Sequence, residues 1–172
     1  ALLGWSNHTV VNGEGTYTLR PSESSNDCLI IPLRENKDEI LGEYLLIDYY
    51  TPTGLNKMQA GYYGLFTSYG VRIYHVDARI DPNIGNPKNL DGYYTIFSFN
   101  NSDTDYKVIE MIEQDNNNSI GKMGIASNSD LFTAGSSLNF IYNHDNEKYD
   151  YTIKITSIQA NATISITKNK SG

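Results

Sequence analysis

Tyr69-Gly70-Val71-Arg72-Ile73-Tyr74-His75-Val76-Asp77-Ala78-Arg79-Ile80 is the stretch that decides the fold. It reads as a strand through the middle of a β-rich domain. Side chains alternate along a strand, which puts Val71, Ile73, His75 and Asp77 on one side and Arg72, Tyr74, Val76 and Ala78 on the other. A histidine and an aspartate therefore sit about 7 Å apart on one face.

Working outward, the stretch has β-prone neighbours on both sides. Glu43 to Tyr50 is a strongly apolar strand, and Asp27 to Leu33 carries apolar residues on both faces, so it is covered on both sides. Thr16 to Arg20 alternates, and His8 to Val11 is short and β-prone. Asn12-Gly13 between those two is a hairpin turn signal. Pro21 to Asn26 reads as a polar loop, Arg34 to Gly42 as a charged connection, and Thr51 to Ser68 as a long loop with interleaved aromatics. Downstream, Tyr93 to Phe99 is β-prone. Lys107 to Gln114 reads as a strand buried on both faces, and 127–132 as a short helical turn capped by Ser127 or Ser129.

Leu138 to Tyr142 reads as one short strand. Tyr151 to Ile158 and Ala162 to Lys168 alternate strictly, the mark of antiparallel strands with one wet face. Nine or ten short strands without a long helix predict an all-β domain, an antiparallel two-sheet β-sandwich of jelly-roll-like form with long loops.

The 172 residues predict one domain, 1–172, long enough to bury a core without staples. A single cysteine, Cys28, excludes an internal disulfide and a cysteine metal site; it reads as a small buried hydrophobe. Net charge is -7 with thirteen scattered basic residues, the opposite of a phosphate-tracking surface. No apolar run is long enough for a membrane span. Ala1-Leu2-Leu3-Gly4-Trp5 reads as a cut inside a longer protein, and a monomer is expected. Few cysteines with much Asn, Thr and Tyr suit a secreted or cell-surface bacterial protein.

The catalytic motifs of the common hydrolases are missing. His8, His75 and His144 are isolated, with no HExxH, and neither a GxSxG elbow nor a P-loop occurs. Twenty acidic residues leave a glycosidase pair unselected. His75 reads as a core histidine satisfied locally by Asp77, with a ligand or interface role as the alternative. Asp115, Asn117 and Ser119 have the spacing that opens a calcium loop. Ile120 and Ala126 then break the EF-hand pattern, which leaves an irregular calcium site using Asp115, Asn117 and Asp130, with Asp103 or Asp105, against plain hydration of a surface loop. Tyr62 and Tyr63 in the long loop either form a docking surface or cover an open end of the core.

Several segments share an order with a known family. Leu3-Gly4-Trp5 precedes a Gly15-Thr16-Tyr17-Thr18-Leu19 strand. Then come Gly42-Glu43-Tyr44-Leu45-Leu46-Ile47-Asp48, Thr53-Gly54-Leu55-Asn56, and Gly70-Val71-Arg72-Ile73-Tyr74-His75-Val76-Asp77. Val108-Ile109-Glu110-Met111-Ile112-Glu113-Gln114-Asp115 and Ser129-Asp130-Leu131-Phe132 follow. This order resembles the region just downstream of the catalytic domain in the immune inhibitor A family of secreted bacterial zinc metallopeptidases. Asp48 stands where that family usually has Glu, Tyr74 where Trp is common, and the 51–68 loop is longer.

The resemblance implies that the zinc site lies upstream, outside this chain, and that the chain itself is not an enzyme. It implies a non-catalytic accessory domain that packs on the upstream protease domain and helps position a protein substrate. His75, Asp77, Tyr62 and Tyr63 are the residues expected to face that partner. The competing class is an adhesion or carbohydrate-binding module, stacking glycans on Tyr62, Tyr63, Tyr93 or Tyr94.

Overall fold

The computed structural model describes residues 6–33, 42–61, 65–79, 107–117, 119–120, 124–139 and 141–169. The connection at 34–41, the tyrosine pair at 62–63 and the whole of 80–106 lie outside them. So do the strand expected at 93–99 and Asp103 and Asp105.

The opening stretch forms β5 (Gly70–Asp77), interior in a five-stranded sheet. Its neighbours are β4 (Glu43–Tyr50) and the shorter β6 (Ile109–Ile112). Beyond β4 lie β3 (Asp27–Pro32) and β1 (Asn7–Val10). A second, four-stranded sheet runs β2-β11-β10-β7, from β2 (Gly15–Leu19), β11 (Ala162–Lys168), β10 (Tyr151–Ile158) and β7 (Ser137–Leu138). A small ribbon pairs β8 (Ile141–Tyr142) with β9 (Lys148–Tyr149).

Alternation explains which faces meet. Leu29, Ile31, Leu45, Ile47, Tyr49, Val71 and Ile73 are buried on one face of the first sheet. Ile153, Ile155, Ile164 and Ile166 are buried on the facing side of the second, and all belong to one core. Burying each such aliphatic side chain contributes roughly 1.5–3 kcal/mol. The Tyr49 hydroxyl donates to the Gln159 carbonyl at 2.7 Å, a polar tie from β4 to the β10–β11 turn. The chain is an all-β sandwich, as its periodicity predicts.

Several local expectations need correction. Asn12-Gly13 is no hairpin turn: β1 joins β3 in the first sheet and β2 joins β11 in the second, so the chain crosses between sheets there. β1 also runs parallel to β3, the one parallel pair in an otherwise antiparallel arrangement of the described strands. The polar 21–26 segment contains a single helical turn, α1 (Ser22–Ser25), closed by Asn26 at φ 57°. The long 51–68 connection holds a 3-10 turn, Gly54–Asn56, and α2 (Lys57–Ala60).

β6 is not buried on both faces. It forms the end of its sheet among the described strands, with Ile109 exposed and its neighbours half-buried. The 138–142 segment divides between β7 and β8, which belong to different sheets. A smaller apolar cluster of Tyr50, Phe66 and Leu131 packs apart from the main core. Phe66 therefore serves to cover the structure, while Leu55 and Met58 of the same connection are exposed.

Candidate functional site

The antiparallel pairing of β4 and β5 sets Glu43 opposite Asp77 and Leu45 opposite His75. Residues two apart on a strand share a face, so Glu43, His75 and Asp77 gather at one end of the sheet. Val71 and Ile73 continue the same face into the core, and Asp77 and Glu43 are buried with it.

His75 and Asp77 do not satisfy each other. His75 Nε2 stands 2.8 Å from Glu43 Oε1. Asp77 Oδ2 instead faces His144 Nδ1 at 2.8 Å. The Arg79 guanidinium forks onto the same Asp77 carboxylate, with Nε 2.8 Å from Oδ1 and the second contact at 2.7 Å. Glu43 is the diagonal cross-strand neighbour of His75, about 7–8 Å away between backbones, and its longer side chain spans that gap where the short Asp77 side chain turns to Arg79 and His144.

His144 enters from the turn between β8 and β9. Its backbone N–H donates to Glu43 Oε1 at 2.6 Å, and its ring centroid lies 4.4 Å from that of His75. The expectation of isolated histidines therefore fails for this pair, although His8 remains on an exposed part of β1. One nitrogen from each of His75 and His144 and one oxygen of Glu43 lie within 4.8 Å of one another.

The electrostatics follow from the contacts. Burial pushes the Asp77 carboxyl up, but hydrogen bonds from Arg79 and His144 outweigh it and hold the group below the usual carboxylate range. Asp77 is thus an ionised acceptor, and His144 Nδ1 must carry the proton it donates. The hydrogen bond to Asp77 raises the Arg79 guanidinium in turn. Arg79 also reaches Glu43 Oε2 at 3.8 Å and Asp145 at 3.6 Å.

The acidic loop forms a second group. Asp115 and Asp130 come together as expected, joined by Glu113, with one oxygen of each within 4.8 Å. Asn117 donates its backbone and side-chain N–H groups to Asp115 at 3.0 and 2.8 Å. Glu113 accepts from the Ser119 and Ile120 backbone N–H groups at 2.8 and 2.7 Å. Asp130 accepts from the Ser127 backbone N–H at 2.6 Å, which closes the 3-10 turn Asn128–Asp130. All-oxygen donors of this kind match hard cations such as calcium, and the same donors also order the loop by themselves.

Glu43 and His144 escaped the sequence reading because they meet His75 only through strand register and a turn 67 residues beyond Asp77. Glu113 was hidden inside an apolar strand pattern. Tyr62, Tyr63, Tyr93 and Tyr94, the expected aromatic platforms, lie outside the described residues. Against known proteins, the chain matches no family model, no curated sequence and no solved structure.

Proposed function

We propose that the chain is a non-catalytic β-sandwich domain of a secreted, immune inhibitor A-like bacterial zinc metallopeptidase, packing on the protease domain upstream. The observation that supports this reading is spatial. Three segments that carry the resemblance, at 43–48, 70–77 and 109–112, are separated in sequence but are adjacent strands β4, β5 and β6 of one sheet. Phe132, from a fourth such segment, pairs its backbone with Val71 of β5 at 2.9 and 3.0 Å.

The chemistry of the site agrees with a non-catalytic role. Glu43, His75, Asp77, Arg79 and His144 engage one another, a network suited to holding strand ends and a turn in place. The same proposal places a structural calcium in the Glu113–Asp115–Asp130 loop, where a cation relieves repulsion among close carboxylates. A rise in Tm with calcium over chelator, absent in Asp115→Asn, is the expected result; identical Tm values would remove calcium from the proposal.

The experiment that tests the main reading compares the parent protease with and without this domain. Loss of folding or of protein cleavage on removing it is expected. Equal folding and equal cleavage by both forms would refute the packing role.

A further inference from the structure

We propose that Glu43, His75 and His144 form a binding site for a divalent transition-metal ion of the zinc type, with Asp77 as the supporting carboxylate behind His144. The inference concerns this chain alone and stands apart from the metallopeptidase reading. It departs from the expectation that zinc is confined to an upstream domain.

The donor set is the first argument. Two imidazoles and one carboxylate are a recurring zinc ligand set, whereas calcium and magnesium take oxygen donors. The three ligand atoms already lie within 4.8 Å of one another. Ligands bound at about 2.0–2.1 Å to a tetrahedral ion sit roughly 3.3 Å apart, so side-chain adjustments of an ångström or so complete the geometry. The metal takes the place of the proton between His75 Nε2 and Glu43 Oε1, and the neutral ring keeps its one proton by binding as the Nδ1–H tautomer.

The second argument is the shell behind the ligands. Metal-bound histidines characteristically donate their other ring N–H to a carboxylate, which fixes the tautomer. The Asp77 contact to His144 Nδ1 at 2.8 Å supplies that partner. It holds His144 as the tautomer with its lone pair on Nε2. Arg79 is directed chiefly onto Asp77, at 2.7 Å, and lies 3.8 Å from Glu43 Oε2, so its charge does not displace the ion from Glu43 Oε1.

Charge and access complete the case. With the imidazoles uncharged, the carboxylates of Glu43, Asp77 and Asp145 against the single Arg79 guanidinium leave an excess of two negative charges, which a divalent ion neutralises. His75 forms part of the wall of a cavity of about 220 Å³, shared with Glu110 and Glu113. Glu110, opposite His75 on β6, stands at that opening, which gives an ion and a fourth, solvent ligand a way in. A bound ion would staple the β8–β9 turn to the end of the five-stranded sheet.

The test uses the whole chain after chelator treatment and dialysis. Zinc at a hundredfold excess over Kd should raise Tm by roughly 5–10 °C. Cobalt(II) should give visible absorption of a nitrogen- and oxygen-ligated ion that zinc then removes. His75→Gln and His144→Gln should abolish both signals, Asp77→Asn should weaken affinity roughly 10–100-fold, and His8→Gln should change neither. Because the first variants touch a buried network, histidine-ring NMR of the unaltered chain provides a second measurement. Zinc should shift His75 and His144 and leave His8 in place. No cobalt absorption, signals that survive in the His75→Gln/His144→Gln double variant, or ring shifts confined to His8 would each overturn the proposal.

Discussion

His75 Nε2 lies 2.8 Å from Oε1 of Glu43, a residue 32 positions earlier on the adjacent strand. The contact exists because β4 and β5 pair with Glu43 opposite Asp77, placing both acids and the histidine on one face. The turn carrying His144 then closes over them, with its backbone on Glu43 and its ring on Asp77. Residues from two sheet strands and a distant turn are thereby joined in one polar cluster at the edge of an apolar core.

The cluster should fail asymmetrically on mutation. Glu43→Ala removes the acceptor for both His75 and the His144 backbone and leaves two half-buried donors without it, a loss of about 2–4 kcal/mol. His75→Ala removes one donor and some packing while Glu43 keeps the His144 backbone N–H, so about 1–3 kcal/mol is expected. Urea unfolding of both variants checks the order. A His75→Ala loss larger than that of Glu43→Ala would place the histidine, not the carboxylate, at the centre.

The difference between what could and could not be read in advance follows from sequence distance. Alternation within Gly70–Asp77 and within the 151–168 hairpin is local, so the sandwich class and the buried face were legible. Partner choice is not local. Nothing near Asn12-Gly13 says that β1 will join β3 and β2 will join β11, and a turn signal alone predicted a hairpin. The same blindness hid the site: Asp77 was the nearest acid to His75 in sequence, yet register gave it Glu43. Asp115 and Asp130 were legible as oxygen donors because their residue types announce them, while Glu113 depended on how β6 ends.

Acid should also weaken a contact away from that cluster. Asp27 lies between Arg20, at 2.9 Å, and Asn7, at 2.7 Å. The Arg20 hydrogen bond is the main reason its carboxyl is lowered from 3.8 to about 2. A depressed folded pKa adds stability that is fully present above the unfolded value and is lost as pH falls toward 2. The full shift corresponds to about 2 kcal/mol; with Arg20 largely exposed to solvent, about 1 kcal/mol is the expected loss between pH 4 and 2. Asp27→Asn should remove that part of the pH dependence, measured as the difference in denaturation midpoints across the interval.

Gly70 opens β5 where Leu131 packs against it. A Cβ added at Gly70 would stand 2.6 Å from the Leu131 Cβ, an atom fixed by its own backbone. That backbone is held in turn, since Leu131 precedes the residue bridged to Val71. Gly70→Ala should therefore cost about 1–3 kcal/mol through overpacking, despite the better strand propensity of alanine. A melting temperature equal to that of the unaltered chain would mean that the Leu131 segment yields easily.

Tyr49 tests how far the two sheets depend on one polar tie. Its ring is fully buried in the shared core, and its hydroxyl donates to the Gln159 carbonyl in the β10–β11 turn at 2.7 Å. Tyr49→Phe keeps the ring and removes only the donor, so the expected loss is about 1 kcal/mol. Tyr49→Ala also empties core volume and should cost about 3–5 kcal/mol, the range for large aromatic truncations. Amide exchange separates the two effects. In Tyr49→Phe faster exchange should be confined to the residues around Gln159, whereas Tyr49→Ala should accelerate exchange in both sheets. Uniform acceleration in Tyr49→Phe would show that the hydroxyl, more than the apolar faces, holds the sandwich together.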